Sequence, residues 1–175
     1  MKHADHVALI RDGAEGAGPV WADLGSGSGA FTLALADVLG PQAVIHSVDL
    51  DKSALRQQAV DMAKRFPDAR LVQQLADFSG PLELPTLDGI VMANSLHFVR
   101  DKAQLLQGVL GHLRPGGRLV LVEYDTDQGN PWVPYPLSFR SWQRLAEEVG
   151  LRKTRLLASV PSRFLGSIYS ALSLR

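Results

Sequence analysis

The run V-W-A-D-L-G-S-G-S-G-A-F, residues 20–31, constrains this chain more than any other stretch. An apolar segment suited to a short buried strand runs into Gly25, Gly27 and Gly29, which alternate with Ser26 and Ser28, and then into a helical pattern. A strand that leaves through glycines into a helix lets a ligand approach bare backbone and offers it the free N–H groups of the helix start. The next apolar run, V-I-H-S-V-D, ends in Asp49, 24 residues after Gly25. Ligands of open α/β sheets bind at such strand ends, and a carboxylate there can grip ribose hydroxyls. Together these features describe a nucleoside-cofactor site. The spacing reads G-x-G-x-G, with Phe31 directly after Ala30, which disfavours the G-x-G-x-x-G fingerprint of dinucleotide-binding turns.

Length and composition narrow the class. The 175 residues suit one domain, 1–175, with a sizeable core, and their 46% hydrophobic content is ordinary for a globular protein. No apolar run approaches the ~18 residues that span a bilayer. The opening M-K-H-A-D-H lacks the apolar centre of a secretory signal, so a cytoplasmic protein is expected. The absence of cysteine fits a reducing compartment and removes zinc–thiolate sites, disulfides and a thiol nucleophile. No His/carboxylate cluster proposes a metal. Net charge is zero but uneven: residues 1–130 hold 11 Lys+Arg and 16 Asp+Glu, residues 131–175 hold 7 and 2. Two readings stand, a solvated surface with oppositely charged ends or a basic wall beside an acidic substrate. Scattered basic residues without an aromatic ladder make a poor nucleic-acid signature.

Short β-rich runs alternate with helical patterns through the first 125 residues, the pattern of βαβ units and a parallel sheet. Strands are expected near 19–24, 43–49, 69–74, 87–93 and 117–124, and helices near 4–14, 28–39, 52–65, 101–113 and 138–149. Asp51 and Asp101 are placed as helix N-caps, and Pro115-Gly116-Gly117 reads as a turn feeding the fifth strand. Beyond Gly150, T-R-L-L-A-S-V and S-I-Y-S-A-L-S-L read as two strands joined by P-S-R-F-L-G, a link short enough only for an antiparallel pair. The expected fold is α/β: a Rossmann-like, mostly parallel sheet of seven strands, with one antiparallel strand near the C-terminus and helices on both faces.

In element order and in five short motifs the chain resembles the class I S-adenosylmethionine-dependent methyltransferases, most closely their broad small-molecule (type-11/12-like) branch. The motifs are D-L-G-S-G-S-G (Asp23–Gly29), S-V-D-L-D (Ser47–Asp51), L-A-D-F (Leu75–Phe78), M-A-N-S-L-H-F (Met92–Phe98) and L-R-P-G-G-R-L (Leu113–Leu119). The resemblance covers nearly the whole chain and implies S-adenosyl-L-methionine as cofactor. It implies that Gly25, Ser26, Gly27 and Gly29 cradle the methionine portion, with Asp23 ordering the loop. Asp49 takes the ribose hydroxyls in preference to Asp51, and Leu50 offers adenine an apolar face. Asp77 accepts from the adenine amino group, the Phe78 backbone N–H donates to the ring, and the Asn94 carbonyl receives the ammonium.

The chemistry is less determined. Two roles are open to His97 after the fourth strand: general base, which imidazole's titration range suits, or packing against the cofactor. Glu123, Tyr124 and Asp125 at the fifth strand's end are candidates to line the substrate pocket. Trp132 and Tyr135, in the Pro-rich segment within the substrate-side loop 125–137, either stack on substrate or plug the last helix. By resemblance, that loop and the N-terminal segment 1–18 form the lid. Without cysteine the covalent route to pyrimidine C5 is closed, and N-S-L-H replaces the [D/N]-P-P-[Y/F] of many amino-group methylases. Methyl transfer to a small-molecule acceptor by in-line displacement, without metal, is therefore expected. The acceptor pocket is expected to be open or completed by a second copy, as in a homodimer. Two rival readings are a non-catalytic methyltransferase-like partner domain and an NAD(P)-dependent oxidoreductase.

Overall fold

The computed structural model describes residues 1–175. In chain order the elements are α1 (His3–Ala14), β1 (Val20–Leu24), α2 (Ala30–Leu39), β2 (Val44–Asp49), α3 (Lys52–Arg65), β3 (Arg70–Leu75), β4 (Leu87–Ala93), a 3₁₀ turn (Leu96–Phe98), α4 (Lys102–Leu110), β5 (Leu113–Tyr124), α5 (Phe139–Glu148), β6 (Arg152–Pro161) and β7 (Ser167–Leu174). The strands form one sheet in the order β3-β2-β1-β4-β5-β7-β6. β7 is antiparallel to both its neighbours, and the remaining ladders are parallel. The Rossmann-like fold expected from the sequence is the fold observed.

The apolar runs are continuous because the central strands are buried on both faces. Alternate residues feed two separate cores. Ala22, Leu24, Ile90, Leu119 and Leu121 face the side covered by α4 and α5, where Leu106 and Trp142 pack. Trp21, Val91, Val120 and Val122 face the side covered by α1, α2 and α3. Helix starts are set by their caps: Asp51 accepts from the Ser53 and Ala54 N–H groups, Asp101 from Gln104, and Ser138 from Ser141. α1 lies across a sheet face, from His3 beside Asp37 to Gly13, which packs against Val120 and Leu157. No helix is long and apolar enough to cross a membrane.

Several boundaries differ from the sequence reading. α2 begins at Ala30 because Gly29, at φ 92°, sits outside the helical region. α4 ends at Leu110, and β5 begins at Leu113 rather than Gly117. The expected turn Pro115-Gly116-Gly117 falls within a bulge, Arg114–Gly117, inside β5: Leu87 pairs with Leu113 while Gly89 pairs with Arg118. Arg114 Nε donates to Asp88 Oδ1 at 2.7 Å, holding the bulge to β4.

The sheet margins are irregular. The outermost strand β6 slips register twice against β7, and Lys153 within it sits at φ 52°. At the other margin the β3–β4 connection, residues 76–86, carries no helix.

Gly89 lies flat beneath Trp21, and a Cβ there would come within 2.4 Å of the indole. Gly89→Ala is expected to lower stability by about 1–3 kcal/mol through overpacking. Gly108→Ala in α4, where nothing lies within 4 Å, is expected to raise it by roughly 0.5–1 kcal/mol. Urea unfolding of both variants checks the pair; equal effects would contradict the packing described.

Candidate functional site

The cleft lies where the strand order reverses. β1 pairs with β2 on one side and β4 on the other, and the loops leaving their C-terminal ends diverge. A cavity of about 500 Å³ opens there, lined among others by Gly25, Asp49, Leu50, Asp77, Phe78 and Asn94. These six cofactor candidates, scattered from residue 25 to residue 94, are thus brought together at one site. None of the lining residues comes from α1, which is built into the sheet face.

Glycine is required in the turn for conformation and for space. Gly25 adopts φ 77°, and a Cβ on it would strike Ser95 Cβ at 2.4 Å. Gly29 at φ 92° faces Gln58, whose Cγ lies 2.5 Å from the Cβ position. Gly27 is left-handed too but has open space around it, so backbone is presented outward there. The Gly25 and Ser26 N–H groups both donate to the Val48 carbonyl, at 2.9 and 3.1 Å. Asp49 finishes the anchoring: Oδ2 accepts from the Gly27 N–H at 2.7 Å and Oδ1 from the Asp51 N–H at 2.8 Å. Asp51 itself is spent on capping α3.

Beneath the turn runs a buried polar network that the sequence reading missed. Thr32 Oγ1 donates to Asp23 Oδ2 at 2.6 Å and accepts from Gln58 Nε2 at 2.9 Å. Gln58 Oε1 in turn accepts from Ser47 Oγ at 2.6 Å and Gln73 Nε2 at 2.8 Å. The network ties β1, α2, β2, α3 and β3 together. Its signal was the polar Thr32 and Gln58 on helix faces that point inward. Burial pushes the Asp23 carboxyl up to about 7; the Thr32 hydrogen bonds oppose the shift and the Asp49 charge adds to it.

Across the cleft, Asn94 sits at φ 51°, a left-handed conformation that asparagine tolerates better than most residues. Its N–H donates to Val122 O at 2.8 Å. Asn94 Oδ1 and Ser26 Oγ are buried without a hydrogen-bond partner in the protein. Ser95 Oγ donates to Leu24 O at 2.7 Å and stitches the exit of β4 to that of β1. Asp77 Oδ1 accepts from both N–H and Oγ of Ser79, which hold its carboxyl below the usual range. Ser79, Ser95, Phe98, Val99 and Arg100 also line the cleft and were not foreseen.

The substrate-side candidates divide. His97 is buried, with Nδ1 2.8 Å from Glu123 Oε2 and its backbone N–H 3.1 Å from Glu123 Oε1. Glu123, expected on the pocket wall, stands behind it instead: it is fully buried, and both carboxylate oxygens hold His97. Asp125, expected beside it, accepts from the Phe139 N–H at the start of α5. Tyr124 lies alongside His97 at 6.1 Å between ring centroids. The 125–137 loop is pinned by the Tyr135 N–H donating to His97 O at 2.9 Å and buries Val133 and Leu137. Trp132 and Tyr135 remain exposed above it. Phe164, from the β6–β7 connection, joins them and was missed, since an aromatic in a hairpin turn carries no signal of its own.

The chain is similar to known proteins in sequence and in fold. The family model described as a methyltransferase domain matches residues 22–119, more than half of the chain. The ubiquinone/menaquinone biosynthesis C-methyltransferase of Pasteurella multocida is 29% identical over 104 residues, 58% of this chain and 38% of that protein. This chain spans no more than about half the length of the curated relatives it matches, at most 49%. Among solved structures, the YcgJ protein of Bacillus subtilis superposes with a TM-score of 0.77 at 15% identity, over 99% of both chains. Magnesium protoporphyrin IX methyltransferase from Synechocystis, solved with S-adenosylmethionine bound, gives 0.71 at 16% identity, over 99% of this chain and 77% of that one.

Asp23 generates a pH prediction. Its folded value of about 7 lies above the unfolded 3.8, so between the two the native state holds a proton that the unfolded chain has lost. Stability therefore falls as pH rises through that window, by at most ~1.4 kcal/mol per unit for one group. Asp23→Asn keeps an oxygen for Thr32 and removes the titration. Its advantage over the native chain is expected to grow from about pH 4 to about pH 7 and then level off. Denaturant unfolding across that range checks it; a pH-independent difference would show that Asp23 titrates normally.

Proposed function

Because this chain belongs to the methyltransferase-domain family, of the class I S-adenosylmethionine-dependent kind, we propose that its cleft binds that cofactor and that it methylates a small-molecule acceptor. The observation that carries the reading is the convergence of Gly25, Asp49, Asp77 and Asn94 on one cavity at the strand reversal. The donor and acceptor set fits the ligand. Ser26 Oγ and Asn94 Oδ1 are buried polar atoms still unpartnered, and open space stands over Gly27. The Asp49 carboxylate, fixed by two backbone N–H groups, keeps free lone pairs for ribose hydroxyls. Exposed Leu50 and part-buried Phe78 supply apolar contact for the base, and Asp77 accepts from its amino group. The Asn94 carbonyl, turned by the left-handed backbone, receives the ammonium. Asp23 acts on the turn through Thr32 rather than on ligand.

When bound, S-adenosylmethionine supplies a methyl group on a sulfonium, already activated for in-line displacement. The protein's task is to hold the acceptor atom in line, exclude water and take up a proton where the acceptor has one to lose. We assign the last role to His97. A carboxylate against Nδ1 requires Nδ1–H, which leaves Nε2 as the basic nitrogen. Glu123 is the positioning residue that fixes tautomer and ring, since it binds both the ring and the backbone N–H of the same histidine. Trp132 and Tyr135, on a loop pinned to His97, border the acceptor side.

Calorimetric titration tests the cofactor: S-adenosylmethionine and S-adenosylhomocysteine are expected to bind and NAD is not. Asp49→Ala is expected to weaken the first two by about 10-fold or more while the protein stays folded, as losing charge-assisted hydrogen bonds of roughly 1.5–3 kcal/mol implies. Unchanged affinity would remove Asp49 from the ribose.

The dyad is tested separately. His97→Gln is expected to keep cofactor affinity within about twofold and to lower kcat by about 10²–10⁴ for an acceptor with a proton to lose. Glu123→Gln is expected to lower kcat and displace the acid limb of the pH–rate profile, with the cofactor KM unchanged. Loss of cofactor binding in both variants would assign the pair to structure alone.

A further inference from the structure

Around the dyad the surface is unusually aromatic, and its rings come from four separate segments. The His97 ring packs against Phe98 at 4.3 Å and Tyr124 at 6.1 Å between centroids. Tyr124 continues to Phe164 at 5.9 Å, and Phe164 meets Trp132 edge-on at 6.4 Å. Three of these rings are left in solvent: Phe98 is 60% exposed, Trp132 71% and Phe164 51%. The other two tryptophans, Trp21 and Trp142, are fully buried, so the fold has no general difficulty in covering indole. Aromatic side chains exposed together around a polar centre mark a surface built to receive a ligand. His97 Nε2 makes no hydrogen bond within the protein, and its ring lies against the Phe98 and Tyr124 rings of this shelf.

Two requirements on the acceptor follow. Stacking among these rings selects a flat π-system over an aliphatic one. The dyad adds the second: the acceptor must carry a hydroxyl proton, which a carboxylate-backed imidazole can accept as the oxygen attacks. We propose that the acceptor is a hydroxyl on an sp² carbon, a phenol or a conjugated enol, stacked on Phe98, Tyr124, Trp132 and Phe164 with its O–H directed at His97 Nε2. The inference rests on the methyl-transfer reading above. The acceptor's O–H proton passes to Nε2. Its oxygen, or the carbon conjugated to it, forms a bond to the methyl carbon, and the pair of the broken carbon–sulfur bond stays on sulfur.

Binding and transfer are measured separately with three probes: 2-naphthol, 1-phenylbutane-1,3-dione and cyclohexanol. Trp132 is the one exposed tryptophan of three, so its fluorescence reports the shelf. With S-adenosylhomocysteine present, the two planar probes are expected to quench it saturably and cyclohexanol is not. Phe164→Ala is expected to weaken quenching at least fivefold, and Trp132→Ala to weaken binding similarly by calorimetry. With S-adenosylmethionine, mass spectrometry is expected to find a product heavier by one methylene; O- versus C-methylation separates the phenol and enol arms. His97→Gln is expected to retain quenching and lose product. Equal affinity for cyclohexanol, or planar-probe affinity indifferent to both shelf variants, would overturn the proposal. If calorimetry finds no S-adenosylmethionine binding to folded protein, the methyl-transfer reading itself falls, an outcome distinct from failure of the shelf.

Discussion

The handedness of β-α-β crossovers is the constraint on which this structure depends. Right-handed connections send α2 and α3 to one face of the sheet and α4 to the other, so the chain parts company with itself at the ends of β1 and β4. Each strand then delivers its last residue, or one of the first two beyond it, to a common opening, which explains how Gly25, Asp49, Asp77 and Asn94 meet although they span much of the chain. Ser95 closes the floor by bonding to Leu24, and this close approach is why residue 25 has no room for a side chain.

Below the opening, the Asp23–Thr32–Gln58–Ser47–Gln73 network determines how rigid the glycine turn is. Three glycines alternating with serines cost backbone entropy on ordering, and a turn so composed would otherwise fluctuate. Hydrogen bonds from two layers oppose this: Val48 and Asp49 hold the turn's N–H groups from beside it, and the network locks the helix it enters from beneath. The binding surface is therefore organised before a ligand arrives, which lowers the ordering cost of binding. The same arrangement explains the perturbed carboxyl of Asp23, which sits at the dry end of a chain of neutral partners.

The elements were readable because their determinants are local. Alternating glycines, aspartate caps and β-branched runs each act within a few residues, and every strand and helix expected from them is present. The bulge at Arg114–Gly117 was misread as a turn because Pro-Gly-Gly is compatible with both. In the fold the bulge is tied to β4 by the bond from Arg114 to Asp88. Six of the ten cofactor-side candidates line one cavity because they lie at strand ends, which the strand pattern locates. The acceptor side was less legible. Glu123 reads as a strand-end acid, and its burial behind His97 depends on how β4 and β5 align. Phe164 reaches Trp132 only because the β6–β7 hairpin folds back beside the 125–137 loop. Such meetings depend on long-range packing and leave no periodicity in the chain.

The irregular margin strand β6 has a consequence for life in a crowded solution. An open sheet invites neighbouring molecules to add strands to its free edge. Here the edge is spoiled twice over, by two register slips with a left-handed Lys153 and by the clustered charges of Arg152, Lys153 and Arg155. Edge-to-edge growth is blocked at that margin. A different kind of adhesive surface is the exposed group of rings beside His97, where contact is made through side chains rather than backbone. The price of keeping that shelf ready is that, with nothing on it, two copies can meet through it.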